Sequence, residues 1–127
     1  MDNTLSTFPK EIIVIDNDRD LLESMRIFFG DVGIKIQCFF NEKDFISYIA
    51  DHPVRLIILD YWLTHSKGGS VIGQLKKKIN DNHISTILIS ADHNIANLAK
   101  ECGADDFLEK PFLFEHLLKK VRFFIPS

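Results

Sequence analysis

The stretch RLIILD, residues 55–60, decides the fold, because four consecutive apolar residues run into a single aspartate. Short apolar runs without polar alternation are typical of strands buried on both faces, as in parallel sheets. Similar runs recur at near-even spacing on both sides of this stretch. We expect strands at Ile12–Ile15, Ile34–Phe40, Arg55–Leu59, Ile84–Ile89 and Asp106–Leu108.

Helical patterns follow each of these runs. Asp18 and Asn41 precede two of the patterns and are residue types that cap the N-terminus of a helix. Gly103 is typical of the residue after a helix, and Pro111 suits a first helical turn. The predicted apolar faces are Leu21, Leu22, Met25, Phe28 and Val32; Phe45 and Ile49; Val71, Ile72, Leu75 and Ile79; Ile95, Leu98 and Cys102; and Phe114, Leu117, Leu118, Val121 and Ile125.

Five strands alternating with five helices predict the α/β class, a doubly wound five-stranded parallel sheet with right-handed crossovers. In such sheets, functional residues lie at the carboxyl ends of the strands, where the strand order reverses. With the strand order 2-1-3-4-5, the first and third strands are neighbours at that point.

The composition is that of an ordinary globular domain of 127 residues, and a formal net charge of −3 does not indicate a nucleic-acid or membrane surface. We expect Cys38 and Cys102 to be small core residues rather than a disulfide, which suits a reducing cytoplasm. We expect residues 1–10 to form a polar tail without the apolar run of a signal peptide, 11–125 to form one domain, and 126–127 to begin a linker.

Four of the predicted strands end in a polar residue, namely Asp16, Asp60, Ser90 and Lys110. With the strand order given above, Asp16 and Asp60 meet at one rim and form a hard-oxygen site suited to Mg²⁺. Lys110 and Ser90 approach from the other side with an ammonium and a hydroxyl group. Each residue alone is a common turn residue, but together they form a receptor for a phosphoryl group, whose transfer needs mainly positioning and charge neutralisation.

The chain resembles the receiver domains of response regulators over residues 11–125. The motifs that carry the resemblance are IIVIDNDRDLL (12–22), LIILDYWLTHSKGG (56–69), ILISAD (87–92) and GADDFLEKPF (103–112). The resemblance implies a flavodoxin-like fold and a regulatory rather than enzymatic role in a two-component system. It also implies that Asp60 takes a phosphoryl group from a histidine kinase or a histidine phosphotransfer protein, with Mg²⁺ as cofactor.

The resemblance further implies roles for individual residues. Lys110 contacts the phosphoryl group, Ser90 is the switch hydroxyl, Phe107 is the aromatic ring that turns, and the Lys110–Pro111 peptide is often cis in the family. The switch acts on the face of the fourth helix, fifth strand and fifth helix, where a homodimer or an output partner would bind, with no nucleic acid or membrane as partner. The charged members of that face include Lys100, Glu101, Lys119, Lys120 and Arg122.

The metal site departs from the family pattern. By resemblance its ligands are Asp16, Asn17, Asp60 and the main-chain carbonyl of Trp62, but the family has an acid at the position of Asn17. A neutral amide brings no charge, so we expect weak Mg²⁺ binding. By resemblance, Trp62 and Asp92 flank the path by which water would reach the phosphoryl group.

Two other functions are open at this point. Asp16-Asn17-Asp18 has the Asp-x-Asp form of haloacid-dehalogenase phosphatases, although Arg19-Asp20 replaces the usual Gly-Thr and the chain is short for that family. The second alternative is a degenerate receiver, which is not phosphorylated and binds partners through its surface. Asn17 is the motive for that alternative.

Overall fold

The computed structural model describes residues 11–64 and 71–126. The strands are β1 (Ile12–Ile15), β2 (Ile36–Phe39), β3 (Leu56–Asp60), β4 (Ser85–Ser90) and β5 (Asp106–Glu109). The main helices are α1 (Arg19–Asp31), α2 (Glu42–Asp51), α3 (Val71–Asp81), α4 (Ile95–Cys102) and α5 (Phe114–Phe124). A four-residue helical turn, Tyr61–Thr64, follows β3 and was not predicted. The predicted tail, residues 1–10, lies outside the described residues.

The five strands form one parallel sheet in the order β2-β1-β3-β4-β5. This order confirms the predicted flavodoxin-like, doubly wound α/β fold. The strand order reverses between β1 and β3, where Ile15 pairs with Leu59. Because all strands point the same way, their carboxyl ends meet at one edge of the sheet, and that edge carries the polar residues predicted to form the site.

Apolar side chains fill both faces of the sheet. On one face Ile13, Ile15 and Leu59 pack with residues of α2 and α4 such as Phe45. On the other face Val14 and Ile58 belong to a second cluster with residues of α1 and α5. Each central strand therefore contributes to two cores, which explains why its sequence is continuously apolar instead of alternating.

The predicted helix caps are confirmed. The side chain of Asp18 accepts a hydrogen bond from the main-chain N–H of Leu21 at 3.1 Å, and Asn41 accepts one from Asp44 at 2.8 Å. Gly103 ends α4 in the left-handed conformation, with φ of 78°. These three residues fix where the helices begin and end, and Asp18 starts α1 directly beside the candidate site.

Two details of the helix predictions were wrong. Val32 was placed on the apolar face of α1, but it caps the end of the helix and is 39% exposed, whereas Phe29 is fully buried on that face. Pro111 was assigned to a first helical turn, but α5 begins only at Phe114. The segment around Pro111 is instead an irregular connection, and its peptide bond with Lys110 is cis.

Both cysteines are half-buried free thiols that pack against the two cores. Burial raises the pKa of the Cys38 thiol to about 11, so this thiol is protonated at neutral pH. Both cysteines therefore pack against the cores, but they are partly buried rather than core residues. Within residues 11–64 and 71–126, the helices are too short or too polar to cross a membrane.

Candidate functional site

The candidate site lies at the carboxyl ends of four parallel strands. Asp60 is the last residue of β3 and Ser90 the last of β4, while Asp16 follows β1 and Lys110 follows β5. Main-chain hydrogen bonds extend the sheet to these positions, since the N–H of Lys110 donates to the carbonyl of Ser90 at 2.8 Å. The sheet therefore brings to one rim four residues that are far apart in the sequence.

Asp16 is held on both of its carboxylate oxygens. Its side chain is fully buried, and Oδ1 accepts a hydrogen bond of 2.9 Å from the main-chain N–H of Asp18. Oδ2 lies 2.7 Å from the ammonium nitrogen of Lys110. The turn from β1 into α1 thus orients Asp16. Lys110, directly after β5, supplies the positive charge that balances the negative charge of Asp16.

Asp60 is the second buried carboxylate, with 6% of its surface exposed. Burial raises the pKa of Asp60, and the neighbouring negative charge of Asp16 raises it further. The ammonium of Lys110 and a hydrogen bond from the main chain of Trp62 act in the opposite direction. Two effects therefore raise the pKa of Asp60 and two lower it, and the first of these is burial.

Ser90 is fully buried at the end of β4. Its Oγ accepts a hydrogen bond of 3.0 Å from the main-chain N–H of Asp92, and a carboxylate oxygen of Asp92 accepts one of 2.8 Å from the N–H of Asn94. These bonds shape the loop between β4 and α4. Asp92, predicted to flank the path by which water would reach the phosphoryl group, uses one carboxylate oxygen to accept this hydrogen bond within the loop.

The residues at the rim fit a hard divalent cation. Asp16 Oδ2 is a buried carboxylate oxygen whose charge is balanced by the Lys110 ammonium at 2.7 Å, and carboxylate oxygens are the ligand type that Mg²⁺ prefers. Asp60 supplies a second carboxylate, and the exposed Asn17 can supply only a neutral oxygen. The part of the chain that the structure describes contains no group of three acidic, histidine or cysteine side chains able to hold a metal.

Two predicted aromatic residues lie outside the buried group. Phe107 on β5 is 37% exposed, and the ammonium of Lys120 lies 5.9 Å from the centre of its ring. Trp62 is 60% exposed and contacts Tyr61 edge to face. Trp62 reaches Asp60 through its main-chain hydrogen bond, whereas the role of its carbonyl as a metal ligand stays a prediction.

Sequence analysis missed three contacts around the site. They are the pairing of Lys110 with Asp16, the hydrogen bond from the main chain of Trp62 to Asp60, and the 2.5 Å contact between His93 Nδ1 and Glu109 Oε2. A main-chain donor leaves no mark in a sequence. The sequence placed Lys110 correctly at the rim. Whether Lys110 pairs with Asp16 or with Asp60 depends on side-chain geometry.

Comparison with known proteins gives a family match over nearly the whole chain. A family model described as the response regulator receiver domain matches residues 12–122. The response regulator MprA of Mycolicibacterium vanbaalenii is 30% identical over 116 residues, which cover 90% of this chain and 49% of MprA. The response regulator protein TodT of Pseudomonas putida is 30% identical over 113 residues, covering 87% of this chain and 49% of TodT. The chain thus spans about half the length of these relatives.

Solved structures agree with these sequence relatives. A two-component response regulator from Clostridium difficile has a TM-score of 0.74 and 29% identity, covering 91% of this chain and 94% of that one. The signal receiver domain of a Luxo repressor protein from Vibrio parahaemolyticus has a TM-score of 0.77 and 25% identity, with coverage of 92% and 90%. The likeness extends over nearly the whole of each of these two chains.

Proposed function

Because this chain belongs to the response regulator receiver domain family of two-component systems, we propose that it takes a phosphoryl group onto Asp60. The observation that carries this proposal is the setting of Asp60 itself. It is a buried carboxylate at the end of β3 whose pKa is raised by burial and by Asp16 and lowered by Lys110. Receiver domains are regulatory rather than enzymes in the usual sense, so the phosphoryl group on Asp60 is the signal.

The proposed transfer uses the chain's own residues in distinct roles. A carboxylate oxygen of Asp60 attacks the phosphorus atom of a phosphohistidine; a bond from oxygen to phosphorus forms while the bond from phosphorus to the imidazole nitrogen breaks. Lys110 offers an ammonium and Ser90 a hydroxyl to the phosphoryl oxygens. Asp16, Asp60 and Asn17 would hold Mg²⁺, which would supply positive charge to the phosphoryl oxygens.

The proposed donor is a histidine kinase or a histidine phosphotransfer protein. An apolar groove of about 410 Å³ opens beside the site and is lined in part by Leu21, Ala91, Lys110, Pro111 and Phe112. A groove of this kind supports a protein donor, because it offers apolar contact area next to the acceptor. The donor histidine would then reach Asp60 from the rim.

The proposed output is a change at the face of α4, β5 and α5. Phosphate on Asp60 adds acceptor oxygens that draw the Ser90 hydroxyl toward them. Movement of Ser90 vacates space into which Phe107 turns from its present, partly exposed position. A homodimer or output partner bound to this face would sense the change in Phe107.

A phosphorylation-independent binding module is the second candidate. The observation that favours it is the exposed, neutral Asn17 at a position where the family has an acid. Against it, Asp16, Asp60 and Ser90 are all buried together with Lys110 at their side, and burying such groups is costly without a use for them. Phosphorylation therefore remains the stronger proposal.

The decisive experiment is chemical phosphorylation. With Mg²⁺ and a small phosphodonor such as acetyl phosphate, we expect the mass of the intact protein to increase by one phosphoryl group. Asp60→Asn protein should stay unlabelled, and Asp16→Asn, which removes a proposed Mg²⁺ ligand, tests the second buried carboxylate. Label that persists in Asp60→Asn but is lost in Asp16→Asn would support a phosphatase-like nucleophile, and no label in the parent protein would support the binding module.

A further inference from the structure

A groove of about 370 Å³ lies at the opposite end of the sheet from the candidate site. Ile12, the first residue of β1, lines this groove together with residues of the connection between α1 and β2 and of the end of α5. The candidate site lies at the carboxyl ends of the same strands, so the length of β1 separates the two. Within the described part of the chain, they have no lining residue in common.

The interior of the groove is apolar. Its walls include the buried side chains of Ile12 and Val121 and the half-buried side chains of Ile34 and Ile125. These four residues belong to the core cluster on the α1 and α5 side of the sheet, so the groove opens onto the edge of that core. Gly33 lies in the left-handed conformation with φ of 82°, and a Cβ atom there would meet nothing within 4 Å. The missing side chain keeps this side of the groove open.

Two cationic side chains line the same groove. Lys35 and Arg122 are both exposed, and neither forms an ion pair with another described residue. Glu11, the acid next to Ile12, accepts a hydrogen bond from the hydroxyl group of Tyr48. The described residues that line the groove include no acid, although the formal net charge of the molecule is −3. The groove therefore combines apolar walls with two positive charges, which suits a ligand that is both apolar and anionic.

We propose that this groove binds a small amphipathic carboxylate, with its apolar chain against Ile34, Val121 and Ile125 and its head group at Lys35 and Arg122. The volume of the groove is that of a small-molecule site, and such sites have mostly apolar walls with a few polar groups that orient the ligand. The guanidinium group of arginine binds a carboxylate through two parallel hydrogen bonds, and Lys35 adds a second positive charge. The proposal goes beyond the proposed function and does not depend on phosphorylation of Asp60.

The test uses sodium octanoate as the probe and ¹H–¹⁵N spectra of the labelled protein as the readout. Millimolar octanoate should produce saturable shifts of the amide signals of Ile34, Lys35 and Val121, and should leave the signal of Ser90 at the candidate site unchanged. Octylammonium has the same chain with the opposite charge, and acetate has the same head group without the chain. Neither should produce saturable shifts at these amides. The absence of saturable shifts with octanoate, or equal binding of octylammonium, overturns the proposal.

Variants test the two cationic side chains. Replacing Lys35 and Arg122 together with glutamine should weaken octanoate binding at least about tenfold, because the charge-assisted hydrogen bonds to the head group are lost. Both side chains are exposed, so the double variant should keep the circular dichroism spectrum of the parent. Lys43→Gln removes an exposed charge on α2 and should leave the affinity unchanged. Equal affinities in the double variant and the parent refute the proposal.

Two other occupants of the groove would give different results. If a second copy of the chain covers the groove, sedimentation shows a dimer, and dilution shifts the signals of the same amides without any ligand. If the occupant is an acidic segment of a partner protein, a capped peptide of alternating leucine and glutamate shifts these signals while octanoate does not. Either result overturns the proposal, whereas a monomer that binds octanoate and not the peptide supports it.

Discussion

At the scale of single residues, Asp60 combines the proposed reactivity with a cost to stability. Burial and the charge of Asp16 raise its folded-state pKa above the ordinary value of 3.8. The folded state therefore binds this proton more tightly than the unfolded state does. The free energy of unfolding falls as the pH rises from 3.8 through the raised pKa, and the loss is complete above it.

This cost predicts the stability of Asp60→Asn. Without Mg²⁺, the variant should melt a few degrees above the parent at pH 7, because about 1 kcal/mol corresponds to roughly 2–8 °C in domains of this size range. The gain should shrink as the pH falls toward 3.8, where the parent carboxyl is also neutral. Thermal melts followed by circular dichroism check this, with the exposed Asp51→Asn as control. A gain that is equal at both ends of the pH range would contradict it.

Asn17 is the neutral residue among the proposed ligands of the metal site. Replacing it with aspartate adds a charge–charge attraction to Mg²⁺, worth about 1 kcal/mol or more even near a surface. We therefore expect Asn17→Asp to bind Mg²⁺ several-fold more tightly. Titration followed by the fluorescence of Trp62, two residues after Asp60, measures this. Equal affinities in the two proteins would show that the amide is no handicap.

Trp62 lies two residues after Asp60, is 60% exposed and donates a main-chain hydrogen bond to Asp60. An attacking water must first fit beside its large ring. We expect Trp62→Ala to shorten the lifetime of the phosphorylated protein several-fold, and Trp62→Phe to lie between the two. Loss of phosphate is followed after removal of the donor at fixed Mg²⁺, and identical decay in the three proteins would exclude Trp62 as the shield.

At the scale of elements, β4, β5 and the loop after β4 form the proposed switch. In the structure Ser90 is tied to the main chain of Asp92, and Phe107 is 37% exposed. A phosphoryl mimic on Asp60 should move Ser90 toward it and turn Phe107 inward. Crystals grown with and without the mimic test this movement, and Ser90→Ala should uncouple Phe107 from the mimic. An unchanged Phe107 rotamer would mean that the ring is fixed.

The strands were the most predictable elements. The continuous apolar runs of β1, β3 and β4 follow from burial on both faces of the sheet. The face of α1 was less predictable, because Phe28, Phe29 and Val32 are all apolar and only packing selects Phe29. The prediction of a helical turn at Pro111 was wrong because proline is common in irregular connections as well as in the first turn of a helix. The partner of Lys110 depends on a choice between two carboxylates that no sequence pattern encodes.

At the scale of the whole molecule, two cores enclose one sheet whose carboxyl edge carries the candidate site. The chain covers about half the length of its curated relatives MprA and TodT. The proposed output face of α4, β5 and α5 lies beside this edge, and its exposed residues include Phe107 and Phe123. In the proposed function, a phosphoryl group on Asp60 would therefore act on a surface close to the candidate site.

The strand order also has a consequence for folding of the chain during its synthesis. The four residues of the candidate site are spread over most of the chain, namely Asp16, Asp60, Ser90 and Lys110. They meet only after β1 has paired with β3, which is not the next strand in the sequence, and after β4 and β5 have joined the sheet. Topologies with such distant contacts fold more slowly than local ones, and synthesis proceeds from the N-terminus. A nascent chain that carries Asp60 but not yet Lys110 lacks a positive charge of the candidate site, so the site is complete only in a chain whose synthesis has passed β5.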